Sequence, residues 1–100
     1  MRVLRVRFTH RAESDLAEIA EYTAQNWGLA QANLYVDELE SCCRALAENP
    51  ALGRQCNDIR PGLRRMEAGR HVIFFREQGK RILVVRILHQ RMLPDHHDLA

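Results

Sequence analysis

Lysine is nearly missing from this sequence: of 15 basic side chains, Lys80 is the single lysine and the rest are arginine. Serine is almost as scarce. Ser14 and Ser41 both fall in stretches that read as helix, with no nucleophile elbow around them, which argues against serine-triad chemistry. There is no Gly-rich phosphate loop and no HExxH pair. No apolar run approaches the roughly 18 residues that span a bilayer, so no membrane association is expected. The opening MRVLRVRF alternates charged and apolar residues, unlike a signal peptide, and points to the cytoplasm. The three cysteines are odd in number and form no CxxC, and adjacent Cys42 and Cys43 make a poor disulfide pair on a helix. With Cys56 they read as small apolar residues of a reducing compartment.

What is present is globular. The chain has 100 residues, 46% apolar and 28% charged, so residues 1–100 read as one domain of two layers. The formal charge of +2 hides an asymmetry. Residues 9–50 hold two arginines against eight acids, and residues 51–100 hold ten cations against five. A GC-rich genome would enrich arginine codons; a surface for carboxylates or phosphates would enrich the arginine fork itself.

Periodicity sets out the elements. Arg2 to Phe8 alternates as a strand. Thr9 is placed to cap a helix whose stripe is Ala12, Leu16, Ile19, Ala20, Thr23 and Trp27, ended by Gly28. A second helix, from about Leu29 to Glu48, carries Ala32, Tyr35, Val36, Leu39, Cys42, Cys43 and Leu46, and stops before Pro50. Residues 49–62 read as an irregular connector. Three strands follow, about Leu63–Ala68, His71–Glu77 and Lys80–His89, with turns at Gly69-Arg70 and Gln78-Gly79. The expected fold is therefore α+β: a β-α-α-β-β-β order with a helical hairpin on one face of a mostly antiparallel four-stranded sheet.

RILVVRILH, residues 81–89, is apolar on both faces of its strand. Four strands at about 4.8 Å span roughly 19 Å, which two helices of about 10 Å diameter cover once. A turn at Gln78-Gly79 pairs Phe75 with Ile82, Ile73 with Val84 and His71 with Arg86. The other face then pairs Phe74 with Leu83, Val72 with Val85 and Arg76 with Arg81. Placing the helices over Phe74, Leu83, Val85 and Ile87 leaves Ile73, Phe75, Ile82 and Val84 uncovered, closed at one end by Arg86 and His71. Such a patch calls for a protein partner, or for the C-terminal tail folded back.

Five histidines raise two further readings. His89 with His96 and His97 could hold a metal, but adjacent histidines point apart and no cysteine lies near; no metal and no cofactor are expected. Metal-free RNA cleavage needs proton carriers, for which His71, His89 and Glu67 are candidates, and cations such as Arg64, Arg65, Arg86 and Arg91. Binding or solvated roles account for the same residues, and no coherent acid–base pair can be placed.

The element order, with RAESDLAEIAEYTAQNWG, ALAENPALGR, RPGLRRMEAGRHVIFFRE and ILHQRM in sequence, resembles the ParE toxins of bacterial type II toxin–antitoxin modules, within the wider ParE/RelE superfamily. The resemblance covers nearly the whole chain. It implies a two-layer fold and a ParD-like antitoxin whose C-terminal segment wraps and neutralises the toxin. It also implies DNA gyrase as the poisoned target, with no direct DNA binding by the toxin alone. RelE-type relatives instead cut messenger RNA on the ribosome, with Lys and Arg on the sheet and a Tyr or His near the C-terminus. Here that end is LHQRMLPDHHDLA, without Tyr, and Lys is almost absent, which favours the ParE side and no catalytic residues. Ile73, Phe75, Ile82, Val84, Arg86 and His71 are the expected antitoxin contacts, and Arg64, Arg65, His89, Arg91 and Met92 the expected target contacts.

Overall fold

The computed structural model describes residues 4–91. The two helices form where the periodicity placed them. Thr9 caps α1 (His10–Trp27) by accepting the Ala12 N–H at 3.1 Å, and its hydroxyl donates to the Val85 carbonyl at 2.8 Å. One short residue thus starts the helix and ties it to the sheet. Gly28 separates α1 from α2 (Leu29–Glu48) at φ 92°, a left-handed conformation that side chains resist. The buried stripe of α1 is Ala12, Asp15, Ile19 and Thr23, and that of α2 is Ala32, Leu39, Cys43, Leu46 and Ala47. Trp27, expected on the α1 core stripe, is instead 68% exposed.

The sheet has five strands rather than four. They are β1 (Arg5–Phe8), β2 (Arg54–Gln55), β3 (Arg64–Ala68), β4 (His71–Gln78) and β5 (Arg81–His89), in spatial order β1-β5-β4-β3-β2. β1 runs parallel to β5, and every other pairing is antiparallel. β2 is two residues long, inside the segment read as an irregular connector, and too short to show a period. It follows a 3-10 turn at Pro50–Leu52 and caps the β3 edge.

The hairpin register differs from the expected one. Gln78 pairs with Arg81 across a Gly79-Lys80 turn, so Phe75 faces Val84 and Glu77 faces Ile82. Val85 is then an extra residue: Phe74 pairs with Arg86, Ile73 with Ile87 and His71 with His89. This bulge reverses the in–out alternation partway along β5. Ile82, Val84 and Ile87 consequently all pack in the helix-side core, although strict alternation would separate Ile87 from the other two.

Apart from Ile87, which does lie beneath the helices, the two faces are also the reverse of the expected assignment. Ile73, Phe75, Ile82 and Val84 are each 0% exposed and pack with Ala12, Ile19, Leu39, Cys43 and Leu46 beneath the helices. They cannot form an open patch. The opposite face buries Val72, Phe74, Val85 and Leu88 beneath Cys56, Ile59 and Leu63. The second cover is therefore the chain's own connector. Apolarity alone could not decide between the faces, because both are buried. All three cysteines are free thiols, and burial pushes the Cys43 thiol up to about 12. Among the described residues no helix is long and apolar enough to cross a membrane.

Candidate functional site

β1 ends at Phe8, opposite Val84, so among the described residues no strand lies beside the edge of β5 beyond that point. The start of α1 takes over. The Thr9 N–H donates to the Val84 carbonyl at 3.0 Å. Two turns on, the Asp15 carboxylate accepts the Ile87 N–H at 2.9 Å. The same carboxylate binds Arg86 through two nitrogens, Nε at 2.8 Å and Nη2 at 3.0 Å. Both residues are buried. Desolvation is costly here, and the paired geometry with a third hydrogen bond offsets it. Arg86, expected to await a partner's carboxylate, finds one in its own chain.

Above this pair lies a groove of about 750 Å³. One wall is α1, through Glu18, Ile19, Tyr22, Thr23 and Trp27; the other is Gly69–His71 and the end of β5, with Gln31 and Tyr35 of α2 closing one side. Tyr22 and Trp27 are 66% and 68% exposed, so this wall presents two large aromatic surfaces to solvent. Clustered exposed aromatics beside a groove are the feature expected of a docking surface.

The groove ends in a cluster of three rings. The Tyr35 hydroxyl lies 2.6 Å from His71 Nδ1 and accepts the Arg70 N–H at 3.0 Å. The His71 and His89 rings meet edge to face at 5.3 Å. Burial lowers the His71 pKa to about 4, His89 adds to the effect and Asp15 opposes it. His71 is thus neutral at pH 7, with Nδ1 hydrogen-bonded to the Tyr35 hydroxyl. Desolvation likewise raises the Tyr35 pKa. His89 Nδ1 in turn accepts the Arg91 N–H at 3.1 Å. Gly69 makes the approach possible: at φ 60°, a Cβ there would sit 2.8 Å from the Tyr35 hydroxyl.

The expected site residues are therefore dispersed. His71, His89 and Arg86 line one groove, whereas Ile73, Phe75, Ile82 and Val84 lie under the helices. Arg64 donates to the Gly53 carbonyl at 2.9 Å, and Arg65 borders a small hollow on the other face with Arg54, Cys56 and Asp58. Arg91 is exposed just past β5. Met92, His96 and His97 lie outside the described residues. Asp15, Tyr22, Trp27 and Tyr35 were missed as site residues. Asp15 carried a signal, since it lies three residues after Ala12 and four before Ile19 on the core stripe, where a carboxylate needs a partner.

Comparison with known proteins is consistent along the chain. Residues 6–94 match the family model described as the ParE toxin of the type II toxin–antitoxin system parDE. Toxin ParE1 of Mycobacterium tuberculosis is 44% identical over 87 residues, covering 86% of this chain and 89% of that protein. Toxin ParE1 of Caulobacter vibrioides is 41% identical over 91 residues, covering 91% and 94%. In fold, the chain is similar to a structure of the chromosomal ParDE TA system from P. aeruginosa, with TM-score 0.76 and 22% identity over 87% of this chain and 96% of that one. It is also similar to the toxin–antitoxin complex RelBE2 of Mycobacterium tuberculosis, with TM-score 0.61 and 20% identity over 92% and 97%. By sequence, this chain belongs to the ParE toxin family of type II toxin–antitoxin systems.

Proposed function

We propose that the chain inhibits growth by binding and poisoning DNA gyrase, and that a ParD-like antitoxin neutralises it by seating a segment in the groove between α1 and the end of β5. The groove, with Tyr22 and Trp27 standing exposed on its wall, is the observation that carries the antitoxin half of this reading. An amphipathic segment with apolar anchors would desolvate both rings on docking. The gyrase half rests on kinship with the ParE toxins named above. On this reading the chain acts by binding, without hydrolysis.

The Tyr35–His71–His89 cluster keeps one rival reading specific, a ribosome-dependent mRNA endonuclease. A single pair of assays separates the two. Purified chain added to gyrase, ATP and supercoiled plasmid should accumulate cleaved plasmid, reversed by antitoxin, and should leave ribosome-bound message intact. Message cleavage abolished by His71→Ala or His89→Ala, with gyrase unaffected, would establish the endonuclease instead.

A further inference from the structure

The face of the sheet turned away from the helices carries a second feature, separate from the groove. Strand register places its side chains. Val6 and Ile82 pair and point into the helix-side core, so their neighbours Arg5, Arg7, Arg81 and Leu83 face the other way. Phe75 is likewise in that core, so Arg76 faces outward beside Leu83. Arg65 pairs with Phe74 of the opposite core, and Arg54 pairs with Arg65. Six arginines thus share this face, Arg5, Arg7, Arg54 and Arg81 exposed and Arg65 and Arg76 half-buried.

Few carboxylates answer them. Glu67 binds Arg54 at 2.6 Å, and Asp58 borders the hollow beside Arg54 and Arg65. Arg81 bonds the Gln78 side chain. Among the described residues, Arg5, Arg7, Arg65 and Arg76 make no ion pair within 4 Å. Arg76 Nε is buried with no hydrogen-bond partner among the described residues.

We infer that this face binds the phosphate backbone of duplex DNA. Charge complementarity and chemistry select that occupant. A protein partner would need apolar anchors, but Phe74 and Val85 are already covered by the connector, leaving Leu83 half-exposed. Single-stranded nucleic acid is gripped through stacking aromatics, and among the described residues the only ring on this face, Phe74, is 1% exposed. Arginine forks suit phosphate oxygens. Arg7 and Arg76 flank Leu83 on the two neighbouring strands, about 10 Å apart, close to the roughly 12 Å width of the B-form major groove. A-form RNA has a major groove that is deep and narrow. The inference departs from the expectation, drawn from family resemblance, that the chain alone does not bind DNA. It holds whatever protein the toxin targets.

The test is fluorescence anisotropy of the purified full chain with a labelled DNA duplex across a salt series. Contacts to four phosphates predict affinity falling about 150-fold between about 50 and 200 mM salt. Arg7→Glu with Arg76→Glu should weaken binding at least about tenfold, equally on unrelated sequences, and lower the log–log salt slope by about two units. Arg11→Glu with Arg44→Glu changes net charge equally on the exposed helices and should leave that slope intact. If the first pair lowers the melting temperature, Arg7→Gln with Arg76→Gln replaces it, with the same expectation at smaller size. Equal loss in the helix and sheet variants would overturn the inference. So would salt-independent binding, or tighter binding of single-stranded RNA, duplex RNA or a polyglutamate peptide than of the DNA duplex.

Discussion

Asp15 and Arg86, 71 residues apart in sequence, form a buried two-point ion pair whose carboxylate also holds the Ile87 amide of the β5 edge. Helix, strand and bulge are locked at one point. Removing one partner leaves the other charge buried, at a cost of about 3–5 kcal/mol. Asp15→Ala should therefore lower unfolding free energy by that order in urea. Arg86→Met alone should cost less, because Asp15 keeps the Ile87 amide. A loss below about 1 kcal/mol for Asp15→Ala would show that the pair is not structural.

The reversal of sheet faces has a sharp consequence at two adjacent residues. Val84 is 0% exposed beneath the helices, while Leu83 is half-buried on the arginine face. Val84→Asp should abolish folding or cost on the order of 4 kcal/mol, and Leu83→Asp should stay within about 1.5 kcal/mol. Paired urea melts decide it, and equal costs would contradict the face assignment.

Much of this fold was legible, for physical reasons that also mark where legibility stopped. Thr9, Gly28 and Pro50 are strong local signals, and α1 and α2 begin and end beside them. The β5 bulge had no such signal. It is set by Thr9 holding the Val85 carbonyl and Asp15 holding the Ile87 amide, contacts that join distant parts of the chain. Nor could the strand pattern show what covers the second face, because the connector that supplies Cys56 and Ile59 has no period of its own. The groove was hidden for a related reason. Trp27 continues the core spacing of α1, yet it is 68% exposed on the wall of the groove.

Acid should weaken the molecule through His71. Its folded pKa of about 4 lies below the ordinary value of 6.5, chiefly because the ring is desolvated. As pH falls below 6.5 the unfolded chain takes up this proton first, so the contribution is complete above 6.5 and is lost progressively towards 4. With allowance for solvent screening of a partly buried ring, the loss is on the order of 1–2 kcal/mol. Urea melts at pH 7.5 and 5.0 should show it, and His71→Gln should flatten the difference. An identical acid sensitivity in that variant would assign the effect to other groups.

The groove as the antitoxin's seat is tested most directly by calorimetric titration of the cognate antitoxin into the wild-type chain and into Tyr22→Ala with Trp27→Ala. Both rings are more than half exposed, so the double variant should fold with its melting temperature nearly unchanged. Loss of two aromatic anchors should weaken binding by about 100-fold or more. Unchanged affinity in the folded double variant would contradict the account and place the antitoxin elsewhere on the toxin.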